Sequence, residues 1–163
     1  MTERMQMHAI FHGAVVLLIG NLCGIVYADV IGRSLADDAI RAWRVAHTGG
    51  VTGGLALVAV GAVLHRLTAG EALRKVLVWS LVAGTYSITA GFLIAAVAGV
   101  RGITPGGPSL NMVVHIAYAA GALGVLMGSV LFVYSAFPRS RPSGSEYVSK
   151  HQDAAQLQAT RHR

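Results

Sequence analysis

The chain has 163 residues, of which 54% are hydrophobic and only 12% charged. That is roughly half the charge of an ordinary soluble domain, and with a mean hydropathy of +0.59 it points to a membrane protein. The formal charge of +6 does not mark a nucleic-acid binder, because the thirteen Lys and Arg lie between apolar stretches and along the tail, with no basic helix interleaved with aromatics.

Crossing about 30 Å of hydrocarbon takes about 20 helical residues. Four segments qualify, at about 10–28, 45–67, 76–100 and 112–137. The predicted fold is an all-α membrane bundle of four transmembrane helices within residues 1–137. A polar tail follows over 138–163, rich in Ser, Gln and Arg, and is expected to be disordered. The first span lacks an A-x-A cleavage site and reads as a retained helix rather than a signal peptide. A lone Cys23 excludes an intrachain disulfide.

The second span is too short if it starts at Val51, so its helix must begin upstream and draw His47 to the membrane boundary. Ser34-Leu35-Ala36-Asp37 resembles a capping box with Asp in place of Glu or Gln. Asp37 and Arg41, four apart, predict an ion pair on the same helix. An interfacial helix running into the second span is the economical arrangement. The third loop, Arg101-Gly102-Ile103-Thr104-Pro105-Gly106-Gly107-Pro108-Ser109, is a turn by composition.

Loop charge predicts the topology. The N-terminus, the second loop and the tail hold nine of the thirteen cations, and the first and third loops hold Arg33, Arg41, Arg44 and Arg101. The positive-inside rule then puts both termini in the cytoplasm, as expected for a multi-pass protein of the cell inner membrane. His47 lies near the opposite, outer end of the second helix, with Trp43 beside it as an interfacial aromatic.

Gly20-x-x-x-Gly24 and Gly124-x-x-x-Gly128 place small residues at helical spacing. Such stripes bring helices close, either inside one bundle or between protomers. Four short helices enclose little volume, so a homo-oligomer with a site shared between subunits is consistent with the length.

Polar side chains within a bilayer are functional candidates. Here they are His12, Asn21 and Tyr27; His47, Thr48 and Thr52; Thr85, Tyr86, Ser87 and Thr89; Asn111, His115 and Tyr118. No Asp, Glu, Lys or Arg lies deep in a span, which argues against a proton pump or ion-coupled transporter. His8 and His12, four apart, could chelate a metal but have no evident third ligand. His115 follows Asn111 at four residues and suits an interhelical hydrogen bond. His47 stands apart. On a helix turning about 100° per residue, Gly50, Gly54 and Gly61 fall within about 60° of it, so its face lets a flat group or another backbone approach.

The run Ala46-His47-x-x-Gly50-x-x-x-Gly54 resembles the hydroxylaminobenzene mutases, small four-helix membrane enzymes of nitroaromatic degradation. His12-Gly13 followed by Gly20-x-x-x-Gly24, Gly84-Thr85-Tyr86, and the glycine/proline turn containing Pro105 fall in the same order, so the likeness covers about residues 8–137. It implies an isomerase converting hydroxylaminobenzene to 2-aminophenol, with His47 and Tyr86 as catalytic residues. The same second-helix run is similar to the styrene oxide isomerases, in which the equivalent histidine ligates a haem b at a subunit boundary of a trimer. By that likeness His47 is the axial ligand, Gly50 and Gly54 flank the cofactor, and a small apolar aromatic substrate enters from the lipid bilayer. A non-catalytic haem carrier or scaffold subunit is the alternative from another class, and His115 or His12 would then be a second axial ligand.

Overall fold

A computed structural model describes residues 2–137, and the tail assigned to 138–163 lies outside the described residues. Four long helices account for nearly all of it: α1 (Thr2–Gly32), α2 (Asp37–Val63), α3 (Glu71–Ala98) and α4 (Ser109–Ala136). At about 1.5 Å per residue each exceeds the roughly 30 Å of bilayer hydrocarbon, and all four are apolar enough to cross a membrane. Phe11, Leu18, Ile25, Leu123, Leu126 and Val130 are all exposed. In water that much apolar surface would be a liability. Against lipid it is the ordinary outer face of a multi-pass membrane protein.

The helices begin earlier than expected because their polar first turns continue the helix past the apolar window. α2 runs unbroken from Asp37 into the span and ends in one 3-10 turn, Leu64–Arg66. The capping box does not form. Ser34 instead takes a left-handed φ of 51° and closes α1, with the Leu35 amide reaching back to the Val30 carbonyl at 3.2 Å. α2 is preceded by Ala36 and has no side-chain cap. The expected Asp37–Arg41 pair is also not made. The charge contacts at this end, among the described residues, are Arg33–Asp29 across the end of α1 and Arg101–Asp38 between the third loop and the first turn of α2, each at 2.9 Å.

Two hairpins build the bundle, each closed by glycine. In the first, Gly13 and Gly20 of α1 oppose Gly54 and Gly50 of α2. A Cβ added at Gly50 would lie 2.7 Å from the Gly20 Cα, and one at Gly54 would lie 2.7 Å from the Gly13 carbonyl oxygen. In the second, a Cβ at Gly84 of α3 would lie 2.7 Å from the Val125 amide nitrogen of α4, and one at Gly124 would lie 3.0 Å from the Gly84 Cα. Both small-residue stripes therefore serve contacts within the chain, where apolar side chains would gain nothing by leaving lipid for each other.

The hairpins meet more loosely. At the end that carries the α2–α3 turn, Leu57, Leu64, Leu77, Val78, Leu81 and Val82 form the core. Thr68 closes it by donating through both its amide and its hydroxyl to the Ser135 carbonyl, each at 2.9 Å. Further along, α2 and α4 diverge over α3 and leave a groove.

Candidate functional site

His47 comes from α2 and is anchored by α1. Its Nδ1 lies 2.9 Å from the Gly20 carbonyl oxygen. A carbonyl oxygen only accepts, so Nδ1 carries a proton in this bond, and the neutral ring is then the tautomer whose Nε2 has its lone pair available. Nε2 has no hydrogen-bond partner among the described residues. Gly24 makes room for the ring, since a Cβ there would lie 2.7 Å from Nδ1. Tyr27, one turn further along α1, lays its ring nearly parallel to the imidazole, 19° between planes and 6.4 Å between centroids. The ring is half-buried, at the edge of the α1–α2 seam.

The glycines beside His47 do not leave the open space their pattern suggested. Gly50 and Gly54 are buried against α1 backbone, at Gly20 in one case and at Gly13 and Leu17 in the other. The stripe thus accommodates another helix, and α1 fills the space beside Gly50 and Gly54.

Tyr86 belongs to a different cluster. Its hydroxyl lies 3.2 Å from Nδ1 of His12, and the two rings meet edge to face with centroids 5.6 Å apart. Trp79 packs on His12 and on His8, at 5.7 and 5.9 Å. His12 and Gly20 are eight residues apart on α1, about 12 Å along the axis. The fold of the chain therefore does not bring Tyr86 and His47 together. Among the described residues no group of three His, Cys, Asp or Glu side chains could hold a metal ion, so His8 and His12 remain a stacked pair.

His115 is likewise fixed through Nδ1, to the Gly102 carbonyl oxygen at 3.0 Å. Asn111 supports the same loop. Its Oδ1 accepts from the Gly102 amide at 2.8 Å, and its Nδ2 donates to the Thr104 and Gly106 carbonyls at 2.7 and 2.6 Å. The two residues fold the third loop onto the start of α4 and do not bond to each other.

The groove between the hairpins was not anticipated. It encloses about 440 Å³ between α2 and α4, with α3 as its floor. Its α2 wall contains Gly49, Thr52, Gly53 and Ala56. These lie about 140° to 240° around the helix from His47. His47 and the groove thus occupy opposite faces of α2. The sequence held a signal for this, since the positions facing the groove are as small as those facing α1.

A four-span protein with a backbone-anchored imidazole held between two helices is as a class a multi-pass membrane protein. The sequence matches the family model described as styrene oxide isomerase over residues 5–137. The chain belongs to that family, and the match runs through all four helices. Isomerase is the activity that membership suggests. No curated protein sequence matches the chain.

Proposed function

We propose that the protein is an intramembrane isomerase that opens a carbon–oxygen bond in a small, uncharged aryl epoxide and yields the carbonyl isomer. The observation that carries this reading is the His47 imidazole, tied at Nδ1 to the Gly20 carbonyl in a chain that matches the styrene oxide isomerase model. The reaction needs no redox partner. The benzylic C–O bond breaks with both electrons going to oxygen, a hydride shifts from the neighbouring carbon to the benzylic one, and the oxygen closes the carbonyl.

An electrophile on that oxygen is required, and no intramembrane carboxylic acid is present to serve. By the family resemblance, the group held at His47 is a haem b. The residue fits that role, because a carbonyl acceptor on Nδ1 fixes the ring and raises the basicity of Nε2 as a ligand. When bound, the iron would supply Lewis acidity toward the substrate oxygen. His47 orients the group, and the apolar groove walls keep water from the reacting carbon. A lipophilic substrate reaches the groove directly from the bilayer.

His47 and the groove lie on opposite faces of α2. A cyclic homo-oligomer, a trimer by the same resemblance, can set one protomer's His47 near the groove of the next. The loop charges favour an arrangement with both termini on the cytoplasmic side and His47 toward the outer end.

A second reading is carried by Gly84-Thr85-Tyr86 and its likeness to the hydroxylaminobenzene mutases. In that reaction the N–O bond breaks, the hydroxyl attaches at the ortho ring carbon, and that carbon's proton moves to nitrogen. Membranes containing the protein, given styrene oxide and hydroxylaminobenzene side by side, test both. Phenylacetaldehyde as product supports the first reading and 2-aminophenol the second. Conversion of neither removes the isomerase reading.

A further inference from the structure

Four hydroxyls line the groove, those of Thr52, Thr85, Thr89 and Ser129, and the two on α3 are the buried ones. Thr85 and Thr89 lie on its α3 floor and are 9% and 4% exposed. They are one turn apart, about 6 Å along the axis. A threonine or serine inside a helix ordinarily returns its proton to the carbonyl four residues back. Thr48 does so to Arg44 at 2.8 Å, and Ser135 to Leu131 at 2.6 Å. Ser87, beside them on α3, instead donates across to the Ala117 carbonyl at 2.8 Å. Among the described residues the Thr85 and Thr89 hydroxyls donate to nothing. In a membrane a hydroxyl that opens onto an apolar groove without a partner is costly. Two of them, stacked on the floor of one groove, call for an acceptor that the chain does not supply.

The space defines that acceptor. No residue lining the groove is charged, so the occupant is neutral. A volume of about 440 Å³ lies in the range of small-ligand pockets and takes a substituted benzene. Thr52 and Ala56 on one rim and Val133 on the other are exposed, so the groove opens sideways toward lipid. A Cβ at Gly53 would lie 2.9 Å from the Thr85 methyl, so glycine at that position keeps Thr85 seated on the floor.

We propose that the Thr85 and Thr89 hydroxyls form an oxygen-binding subsite, holding an uncharged aromatic molecule in the groove through one acceptor oxygen. This deepens the proposed function by naming what grips the substrate oxygen, and it can be tested without turnover. Acetophenone and ethylbenzene are similar in shape and differ in one acceptor. Binding of each to the purified protein in nanodiscs, followed by ligand-observed NMR, reads the preference.

The parent protein is expected to favour acetophenone by roughly fivefold or more, the worth of one net hydrogen bond. The isosteric double variant Thr85→Val/Thr89→Val is expected to bind the two equally, while Thr85→Ser/Thr89→Ser keeps the preference. Ala56→Trp, at the exposed rim, is expected to abolish binding of both. A preference that survives the double valine variant overturns the subsite, as does unchanged binding to Ala56→Trp. A parent protein that shows the preference but isomerises neither styrene oxide nor hydroxylaminobenzene leaves the subsite standing and removes the isomerase reading alone.

Discussion

The Tyr86 hydroxyl lies 3.2 Å from Nδ1 of His12 and ties α3 to α1 about 12 Å along that helix from the point where His47 is anchored. The pair makes an interhelical contact beside the leucine core, against which Tyr86 packs. A phenol occupied in this way is not aimed at His47 of the same chain, and it is not part of the groove lining.

Tyr86→Phe is therefore expected to lower stability by about 0.6 kcal/mol, the typical worth of a side-chain hydrogen bond between membrane helices. Turnover should stay within about threefold. The check is a double-mutant cycle with His12→Phe, read by thermal unfolding and by activity. Loss of turnover in Tyr86→Phe without a matching loss in His12→Phe would return Tyr86 to the reaction.

His47→Ala is expected to abolish turnover, by about 100-fold or more, with the helical content unchanged. The ring is half-buried and its bond goes to a carbonyl whose helix is held independently by glycine contacts, so the fold does not depend on it. In the same preparations, Soret absorbance should accompany the parent protein and disappear from His47→Ala. Full activity in the variant removes His47 from the mechanism.

The glycines of the first hairpin should separate by role. Gly24→Ala places a Cβ 2.7 Å from the His47 Nδ1, and the ring can swing away at modest cost. Its activity should fall further than its melting temperature. Gly54→Ala drives a Cβ into the Gly13 carbonyl and the Leu17 backbone, which cannot yield without parting two helices. It should lose on the order of 1–3 kcal/mol of stability. Equal melting temperatures for the two variants would contradict this division.

Much of this architecture was legible in the sequence, and the part that was not has a physical reason. Four apolar runs of membrane length fix four helices whatever their partners. The helix period also placed Gly50 and Gly54 on the same face as His47 correctly. What periodicity does not reveal is the occupant of a bare face, and α1 fills it here. Nor does it show which helices splay apart. The groove depends on how two tight hairpins lean on each other, a matter of Phe92 packing against Gly49 and of the leucine core at one end. Thr85 and Thr89 were visible as intramembrane hydroxyls, but their lack of a partner appears only in three dimensions. At the first loop, the capping-box pattern gave way to the left-handed turn at Ser34, because closing α1 satisfies carbonyls that would otherwise be orphaned.

The third loop yields the last prediction. Asn111 is buried, and its one amide group makes three bonds, accepting from Gly102 and donating to Thr104 and Gly106. Asn111→Ala would leave the Gly102 amide without its acceptor beside a tightly packed Val114, because Gly102 adopts a φ of 63° with Val114 directly beneath it. The expected cost is about 2–3 kcal/mol, most of it from the unsatisfied buried amide rather than from the lost bonds themselves. Asn111→Asp keeps the acceptor for Gly102 but turns the other two contacts repulsive, so it should be no less damaging. The Arg101–Asp38 pair that spans the same end is more than half exposed on both sides. Asp38→Asn should therefore cost under about 1 kcal/mol. Thermal unfolding of the three variants in one detergent gives the order, and a loop held mainly by its surface ion pair would reverse it.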